Sequence, residues 1–553
     1  MPRIVKRAIF YPLATILALG ALYAAIPSYR YFWDSLIDCR YIETKVDLPK
    51  LVNPLHPLFP LAAYPLFRTL QPDIAGHSIN MFRIVSIIFS LIGLITFYAI
   101  LRKAAASHVL CAIATLSLGL TASWWHYSIS GNTVVISMAF LLLSLLFYMP
   151  RSDGGAARGP MILHRLFFAI SVLFSRLNFL FIIPFAVTDY IKRHEAPGSG
   201  AGAFIQTLKY SLVTLLCAAV PFFLLPAVSL GIWTPAGIGR WFNDFPGALP
   251  HITGDAADRL RGLLAAGLGN ILALSRDANF AFKAYQGAPP NLRSMPYFIA
   301  FIFLAISFLA GIVFIAGRRK EFSANGRILA SFCIGTILIV GGYFLIRQPF
   351  ATTIFALPSL AMLFSLWALQ AMRGKPRVYS LLWLLLPLLI LTNNWFIKFN
   401  RDRFPDNNPY IYEASSVPNI VKDGDLLIDS GVNEGLFRHA YLLYFAGIDS
   451  RSLFQIPGVM NRDFEAFSIE MTRQLESGHK ILIHEDAVQN EESMKLLIGG
   501  MGADYTPDEL LDFIGNVIEP RYYFVINAKK YYVFERASEG VPPEELPMLP
   551  VMP

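Results

Sequence analysis

The segment at 33–43 reads WDSLIDCRYIE, and wound as a helix it sets Asp34 and Asp38 one turn apart on a single face. A carboxylate so placed can take the proton of an attacking hydroxyl, which is general-base chemistry. Transfer from a lipid phosphate needs, opposite that base, cations that hold the phosphate as it leaves. Downstream, 53–67 reads NPLHPLFPLAAYPLF, with His56 set among prolines. Such a stretch suits an irregular, partly embedded loop, which is tolerated at membrane depth where it is buried in protein or lines a cavity. A solvated helix with an ordinary polar face explains the Asp spacing equally well by itself, so the surroundings must decide.

Those surroundings are apolar. The chain has 553 residues, 55% hydrophobic and 15% charged, far from the balance of a soluble domain. Runs long enough to cross roughly 30 Å of hydrocarbon lie near 8–28, 80–101, 106–124, 131–149, 206–230, 296–317, 327–346, 350–372 and 378–398. A further run, 163–190, carries Arg176 and Asn178 at its middle, a costly placement in one continuous span. Two short helices meeting at a bend remove the conflict. The expectation is a polytopic α-helical membrane protein with about eleven transmembrane helices over 1–400. The N-terminus has the charge order of a signal peptide but too long an apolar run, and reads as a retained first helix.

Lys/Arg clusters at 3–7, 102–103, 151–165, 192–209, 318–327 and 373–377 fall on alternate sides of successive spans, which assigns them all to the cytoplasm. The opening loop (29–79), a long loop (231–295) and everything after residue 400 are then outside. Charge divides the same way, with 33 Lys and Arg against 13 Asp and Glu up to residue 400, and 13 against 25 beyond it. The basic excess therefore reports topology, not a nucleic-acid partner. Four cysteines, without a CxxC or a His/Cys cluster, give neither a disulfide framework nor a zinc site.

Beyond residue 400 the pattern changes. Strand-like segments at 425–430, 450–456, 480–485, 522–527 and 530–535 alternate with helical ones at 434–446, 461–477, 489–498 and 507–518. A soluble α/β domain over 401–540 with a mainly parallel sheet is expected, ahead of a Pro-rich tail at 541–553. Two segments there invite a chemical reading: DSGVNEG (429–435), after a strand, faintly like a nucleotide loop, and HED (484–486), like a small catalytic or metal cluster. The first lacks GxGxxG, and the second more simply ends a strand.

Besides Asp34, Asp38 and His56, the outward ends of the spans offer Arg83, His126 and Asn132 within WWHYSISGN (124–132), Arg176 in the bend, and Arg347 in IRQPF. Singly, each has an ordinary explanation, as a snorkelling cation or part of an aromatic belt. Their common side is what singles them out.

The residues in this order resemble the GT-C superfamily of integral-membrane glycosyltransferases, nearest its protein O-mannosyltransferase-like branch, bacterial members of which append an outer domain. The likeness runs through WDS at 33–35, HPLFP at 56–60, LFSRLNFLFIIP at 173–184 and RQPFATTIFALPSLAML at 347–363, and continues into 423–454. Leu36 stands where relatives often have Gly, the second acid is Asp38 where Ile37 would be expected, and Asn132 replaces a frequent Glu. The resemblance implies a donor sugar on a polyprenyl phosphate and an acceptor hydroxyl on a protein, glycolipid or envelope glycan. It implies Asp34 as general base with inversion at the anomeric carbon, Asp38 and His56 as positioning groups, and Arg347, helped by Arg176 or Arg83, as holder of the departing phosphate. Some branches use a divalent ion; the loop carboxylates do not specify one, and no cofactor is expected. The lipid-carrier logic implies a bacterial inner membrane, with the N-terminus cytoplasmic. Two rivals stay open: a transporter or flippase of a lipid-linked or anionic substrate, which would favour inverted repeats that the sequence does not display, and a non-catalytic partner built on the same scaffold.

Overall fold

The computed structural model describes residues 3–44, 51–52, 54–70, 77–104, 106–149, 158–194, 200–243, 269–273, 322–346, 352–371, 377–430, 434–459, 463–489, 506, 508–509, 512, 522–534 and 548–549. The chain is mostly helical. In order come α1 (Arg3–Ala25), α2 (Trp33–Glu43), α3 (Leu58–Leu70), α4 (Ser78–Lys103), α5 (His108–Leu120), α6 (Ala122–Ile129) and α7 (Val134–Tyr148). They are followed by α8 (Arg158–Phe174), α9 (Ile182–His194), α10 (Gly200–Leu230), α11 (Pro235–Asn243), α12 (Ala324–Ile346), α13 (Thr352–Ala371) and α14 (Arg377–Asn394). Two compact units emerge: one of the described residues up to Ser28 and from 51 to Arg403, the other of Tyr29–Thr44 and the residues from Phe404 onward.

In the first unit α7 packs between α8 and α4, and α12 against α13 and α9. Among the described residues two helices, Ser78–Lys103 and Gly202–Leu230, are long and apolar enough to cross a membrane. Helices α5 and α6 form a pair bent by 66°. The bend has a local cause. Thr121 closes α5 and starts α6, its Oγ1 accepting from the Trp124 amide at 3.4 Å. Asn394 ties the kink to the segment 269–273: its Nδ2 donates to the carbonyls of Leu120 (2.8 Å), at the end of α5, and Ile271 (3.0 Å), while its Oδ1 accepts from the Ala273 amide (2.6 Å). Buried backbone groups left unpaired would be costly, so one side chain here secures three chain segments.

The run 163–190 is broken where its polar residues stand. Helix α8 stops at Phe174, Ser175 is extended, Arg176–Phe181 forms a 3-10 helix and α9 begins at Ile182. Asn178 fastens the break through a 2.6 Å hydrogen bond from its Nδ2 to Ser171 Oγ. At the other ends of these helices a polar knot joins α7 to α10. His164 pairs with Ser144 Oγ (2.9 Å) and Tyr210 Oη (2.7 Å), and Asp189 accepts from Arg193 (2.6 Å), Thr207 (3.0 Å) and Tyr148 (3.3 Å).

The second unit is built on a six-stranded sheet of β1 (Leu426–Asp429), β2 (Arg451–Ser452), β3 (Ile481–His484), β4 (Tyr522–Ile526), β5 (Lys529–Phe534) and β6 (Met548–Leu549), ordered β2-β1-β3-β5-β4-β6. Around it lie α15 (Pro409–Ser416), α16 (Glu434–Tyr441), which runs into a π turn at Leu442–Ala446, and α17 (Phe464–Glu476). The first five strands fall on the segments whose alternation marked them. The sheet is mixed: β1 is parallel to β2 and β3, while β5 is antiparallel to both β3 and β4. The reason is the connection between β4 and β5. Two residues, Asn527 and Ala528, both with positive φ, make a turn that can only return the chain antiparallel. Strand β6, in the Pro-rich tail, pairs parallel to β4. The helices expected at 489–498 and 507–518 fall largely outside the described residues. Leu427, Leu442, Leu482, Tyr531 and Val533 form the centre of the core.

Candidate active site

Asp34 lies in the first turn of α2, where the helix dipole favours a negative charge. It is half-buried and accepts the Ser35 amide at 2.8 Å. Asp38, one turn on, is buried. Leu36, Cys39 and Ile42 are fully buried, and α2 packs against α16 and the π turn. The acidic helix thus belongs by its contacts to the second unit. Its entry is fastened: the Tyr31 amide donates to Tyr441 Oη (2.6 Å), and Asn408 Nδ2 donates to the Tyr29 carbonyl (2.6 Å) and to Tyr441 Oη (2.9 Å). Its exit is fastened by Tyr444 Oη, which donates to Glu43 at 2.7 Å.

The other expected residues that are described, His56, Arg83, His126, Asn132 and Arg176, belong to the first unit. The Arg176 amide donates to the Leu55 carbonyl at 3.0 Å, so the opening loop is tied to the break after α8. His56, next along, is buried, with its ring 6.1 Å from that of Phe59, which in turn lies 4.6 Å from Phe82. Phe82 precedes Arg83, which is half-buried in the second turn of α4. Gly131, with φ +70°, comes so close to this turn that a Cβ there would lie 3.4 Å from the Arg83 nitrogen. Asn132 is the next residue; its side chain accepts the Val134 amide (2.8 Å) at the start of α7, and its carbonyl accepts from Ser86 Oγ (3.0 Å). A chain of direct contacts therefore gathers the neighbourhoods of His56, Arg83, Asn132 and Arg176 at one end of the helical unit. His126 is half-buried on α6, 6.1 Å ring to ring from Tyr127. Arg347 lies outside the described residues.

The two suggestive segments of the second unit meet around one cation. Arg438 is fully buried and bonds Glu413 (2.7 Å), Asp429 (2.8 and 3.0 Å) and Asp486 (2.9 Å). Lys529 adds a second cation 2.9 Å from Asp486, and Tyr531 donates to Glu413 at 3.2 Å. Burial pushes the Glu413 carboxyl up. Burial would do the same to Asp486, but His484, Lys529 and Arg438 outweigh it and hold that carboxyl low. His484 is pushed down to about 4 by burial, with the Arg438 charge adding to the effect. The Asp486 amide donates to its Nδ1 at 3.1 Å. Asp429 at the end of β1 and Asp486 just beyond β3 thus meet in one ion cluster around Arg438. Among the described residues no group of three or more His, Cys, Asp or Glu is arranged to hold a metal ion.

Sequence reasoning did not find Asn408, Tyr441, Tyr444 or Arg438. Little local marks them, because most of their partners lie tens to hundreds of residues away.

No protein-family model matches the sequence, and no curated protein matches it. Solved structures do match in shape. ArnT from Cupriavidus metallidurans, bound to undecaprenyl phosphate, superposes with a TM-score of 0.56 at 11% identity, covering 98% of this chain and all of the other. The Archaeoglobus fulgidus oligosaccharyltransferase with a tethered acceptor peptide gives 0.53 at 10% identity, over 96% of this chain and 75% of the other. The oligosaccharyltransferase AglB, also from Archaeoglobus fulgidus, in complex with an inhibitory peptide and a dolichol-phosphate gives 0.52 at 12% identity, over 96% and 75%. The chain shares its fold, from one end to the other, with ArnT and with this oligosaccharyltransferase.

Proposed function

We propose that this protein is an integral-membrane glycosyltransferase that moves a sugar from a polyprenyl-phosphate donor to an acceptor hydroxyl at the outer face of the membrane. The observation that carries the reading is the end-to-end likeness to two proteins whose structures hold undecaprenyl phosphate and dolichol-phosphate, one of them an oligosaccharyltransferase. The order of the acidic, His-Pro and basic motifs along the sequence supports the same reaction independently.

In this reading the first unit is the transmembrane domain of about eleven spans, the second an extracytoplasmic domain of a bacterial inner-membrane protein. The protein is of the O-mannosyltransferase-like branch and transfers a hexose or pentose. Asp34 takes the proton of the acceptor hydroxyl as the new oxygen–carbon bond forms at the anomeric centre. The bond to the phosphate oxygen breaks on the opposite face, and the configuration inverts. The lipid phosphate departs as an anion toward Arg347, with Arg176 and Arg83 as further cations. Asp38 and His56 orient Asp34 or the acceptor, while His126 and Asn132 bind substrate. A divalent metal is not part of the proposal.

The test is release of sugar from radiolabelled undecaprenyl-phosphate hexoses and pentoses by the full-length protein in proteoliposomes. Bond cleavage with transfer is the expected result. Movement of intact lipid across the bilayer without cleavage would identify a transporter, and neither event would identify a non-catalytic partner; both reject the proposal.

A further inference from the structure

We infer that Tyr441, together with Asn408, is a positioning element for Asp34, so that the second unit sets the alignment of the acidic helix. The inference rests on the proposed role of Asp34. Its observations are separate ones.

Phe32 is the residue before α2 and Asp34 falls in the first turn, so the direction in which the carboxylate projects depends on how 29–32 is held. Residues 29–31 lie outside the helix. The Tyr441 hydroxyl accepts the Tyr31 amide at 2.6 Å and donates to the Tyr29 carbonyl at 3.2 Å. Asn408 donates to that carbonyl and to the hydroxyl, while its Oδ1 accepts the Tyr410 amide at 3.0 Å and so caps α15. One asparagine thereby fixes the start of α15 and the entry to α2 together. The Tyr441 ring is buried between Tyr410 (5.5 Å), Phe445 (5.7 Å) and Tyr31 (6.3 Å). Burial keeps its hydroxyl protonated, well above the usual tyrosine range, so it serves as a neutral donor and acceptor.

The π turn completes the arrangement. A π turn inserts one residue into the helical repeat and rotates the residues after it, and such turns gather at functional sites. Here Tyr441, just before the turn, reaches the entry of α2, and Tyr444, within it, reaches Glu43 at the exit. A helix held at both ends from one partner element has little freedom to tilt. A base that must meet a hydroxyl at about 3 Å depends on such restraint.

The experiment compares wild type, Tyr441→Phe, Asp34→Asn and the double variant, all full length in proteoliposomes. Phenylalanine keeps the ring contacts and removes only the hydroxyl. Two readouts are taken: kcat and donor KM with the radiolabelled undecaprenyl-phosphate sugars, and amide hydrogen exchange of Trp33–Glu43 against that of β1 and β3. Tyr441→Phe should lose about 10- to 100-fold in kcat with donor KM changed by less than about 3-fold, and should lose exchange protection in α2 but not in the sheet. The double variant should be no worse than Asp34→Asn, since the two act through one carboxylate. Wild-type kcat in Tyr441→Phe beside an inactive Asp34→Asn would overturn this inference alone. Loss of protection throughout the sheet would do the same, by making the hydroxyl a general support of the fold. Full turnover in Asp34→Asn would remove the catalytic reading itself. Where no donor is turned over, exchange decides: unchanged protection of α2 in Tyr441→Phe refutes the clamp.

Discussion

The amide of Arg176 donates to the carbonyl of Leu55 at 3.0 Å, and through this bond the opening loop takes its place from the break between α8 and α9. His56 inherits its position from that anchor. The contacts onward to Phe82 and to Gly131 show that the helix starts at this end of the bundle are fitted to one another rather than independently solvated.

Gly131 is the tightest point of that fit. Its positive φ excludes a side chain without strain, and an added Cβ would lie 3.0 Å from Ile79 and 3.3 Å from Phe82 Cβ. Gly131→Ala should therefore displace the first turns of α4, lower stability by about 1–3 kcal/mol and raise donor KM more than it lowers kcat. Thermal unfolding in detergent and donor titration would measure both; an unchanged KM would detach Arg83 from donor binding.

Asp34→Asn keeps the shape of the side chain and its hydrogen bond from Ser35. As a general base contributes about 10²–10⁴-fold, turnover should fall by that range while donor binding and the exchange protection of the second unit stay as in wild type. A variant with wild-type turnover would end the assignment.

Arg347→Ala should weaken donor use, since a guanidinium that holds a departing phosphate acts in both the bound and the transition state. The expected result is a fall of about 10-fold or more in kcat/KM, together with weaker inhibition by undecaprenyl phosphate. Unchanged kcat/KM and unchanged inhibition would reject the role.

Arg438→Met should be severe for the fold and indirect for chemistry. Removing the guanidinium leaves Glu413, Asp429 and Asp486 facing one another in a buried site, and breaking a buried pair costs roughly 3–5 kcal/mol. The sheet amides of the full-length protein should lose exchange protection accordingly. A shift below about 1 kcal/mol would mean that water already reaches the cluster.

His484 gives the second unit a pH dependence of known sign. The imidazole of the unfolded chain takes a proton near 6.5, whereas the folded one does so only near 4. Its contribution is therefore intact above about pH 6.5 and declines as the pH falls toward 4, by about 3 kcal/mol in all. Glu413, raised by burial, works in the opposite sense, binding its proton in the fold first, so the comparison must be with His484→Asn, which can still accept the Asp486 amide. Denaturant midpoints at pH 7 and pH 5 should separate more in wild type than in the variant; equal separations would rule out His484 as the source.

Much of this was legible in the sequence, and for identifiable reasons. The break at Ser175 announced itself because Arg176 and Asn178 could not sit in the middle of a continuous apolar helix. The strands showed through their alternation. The direction of β5 depended on a two-residue turn of Asn and Ala, weaker turn formers than Asn-Gly, and was missed. Asp34 and Asp38 were visible as a pair, but what holds their helix was not: Tyr441 and Asn408 act on backbone groups of Tyr29 and Tyr31, and a backbone partner leaves no signature in residue type. The cluster around Arg438 draws on four separate segments, each unremarkable by itself.

The latch on the acidic helix also has a consequence in time. Tyr31 and Tyr441 are 410 residues apart, so at the usual pace of translation the ribosome delivers the second roughly 20–80 s after the first. A nascent chain, or a message cut short before Tyr441, carries every residue of the helix without the hydroxyl that accepts the Tyr31 amide. Whatever that helix does while latched can begin only once synthesis has passed Tyr441.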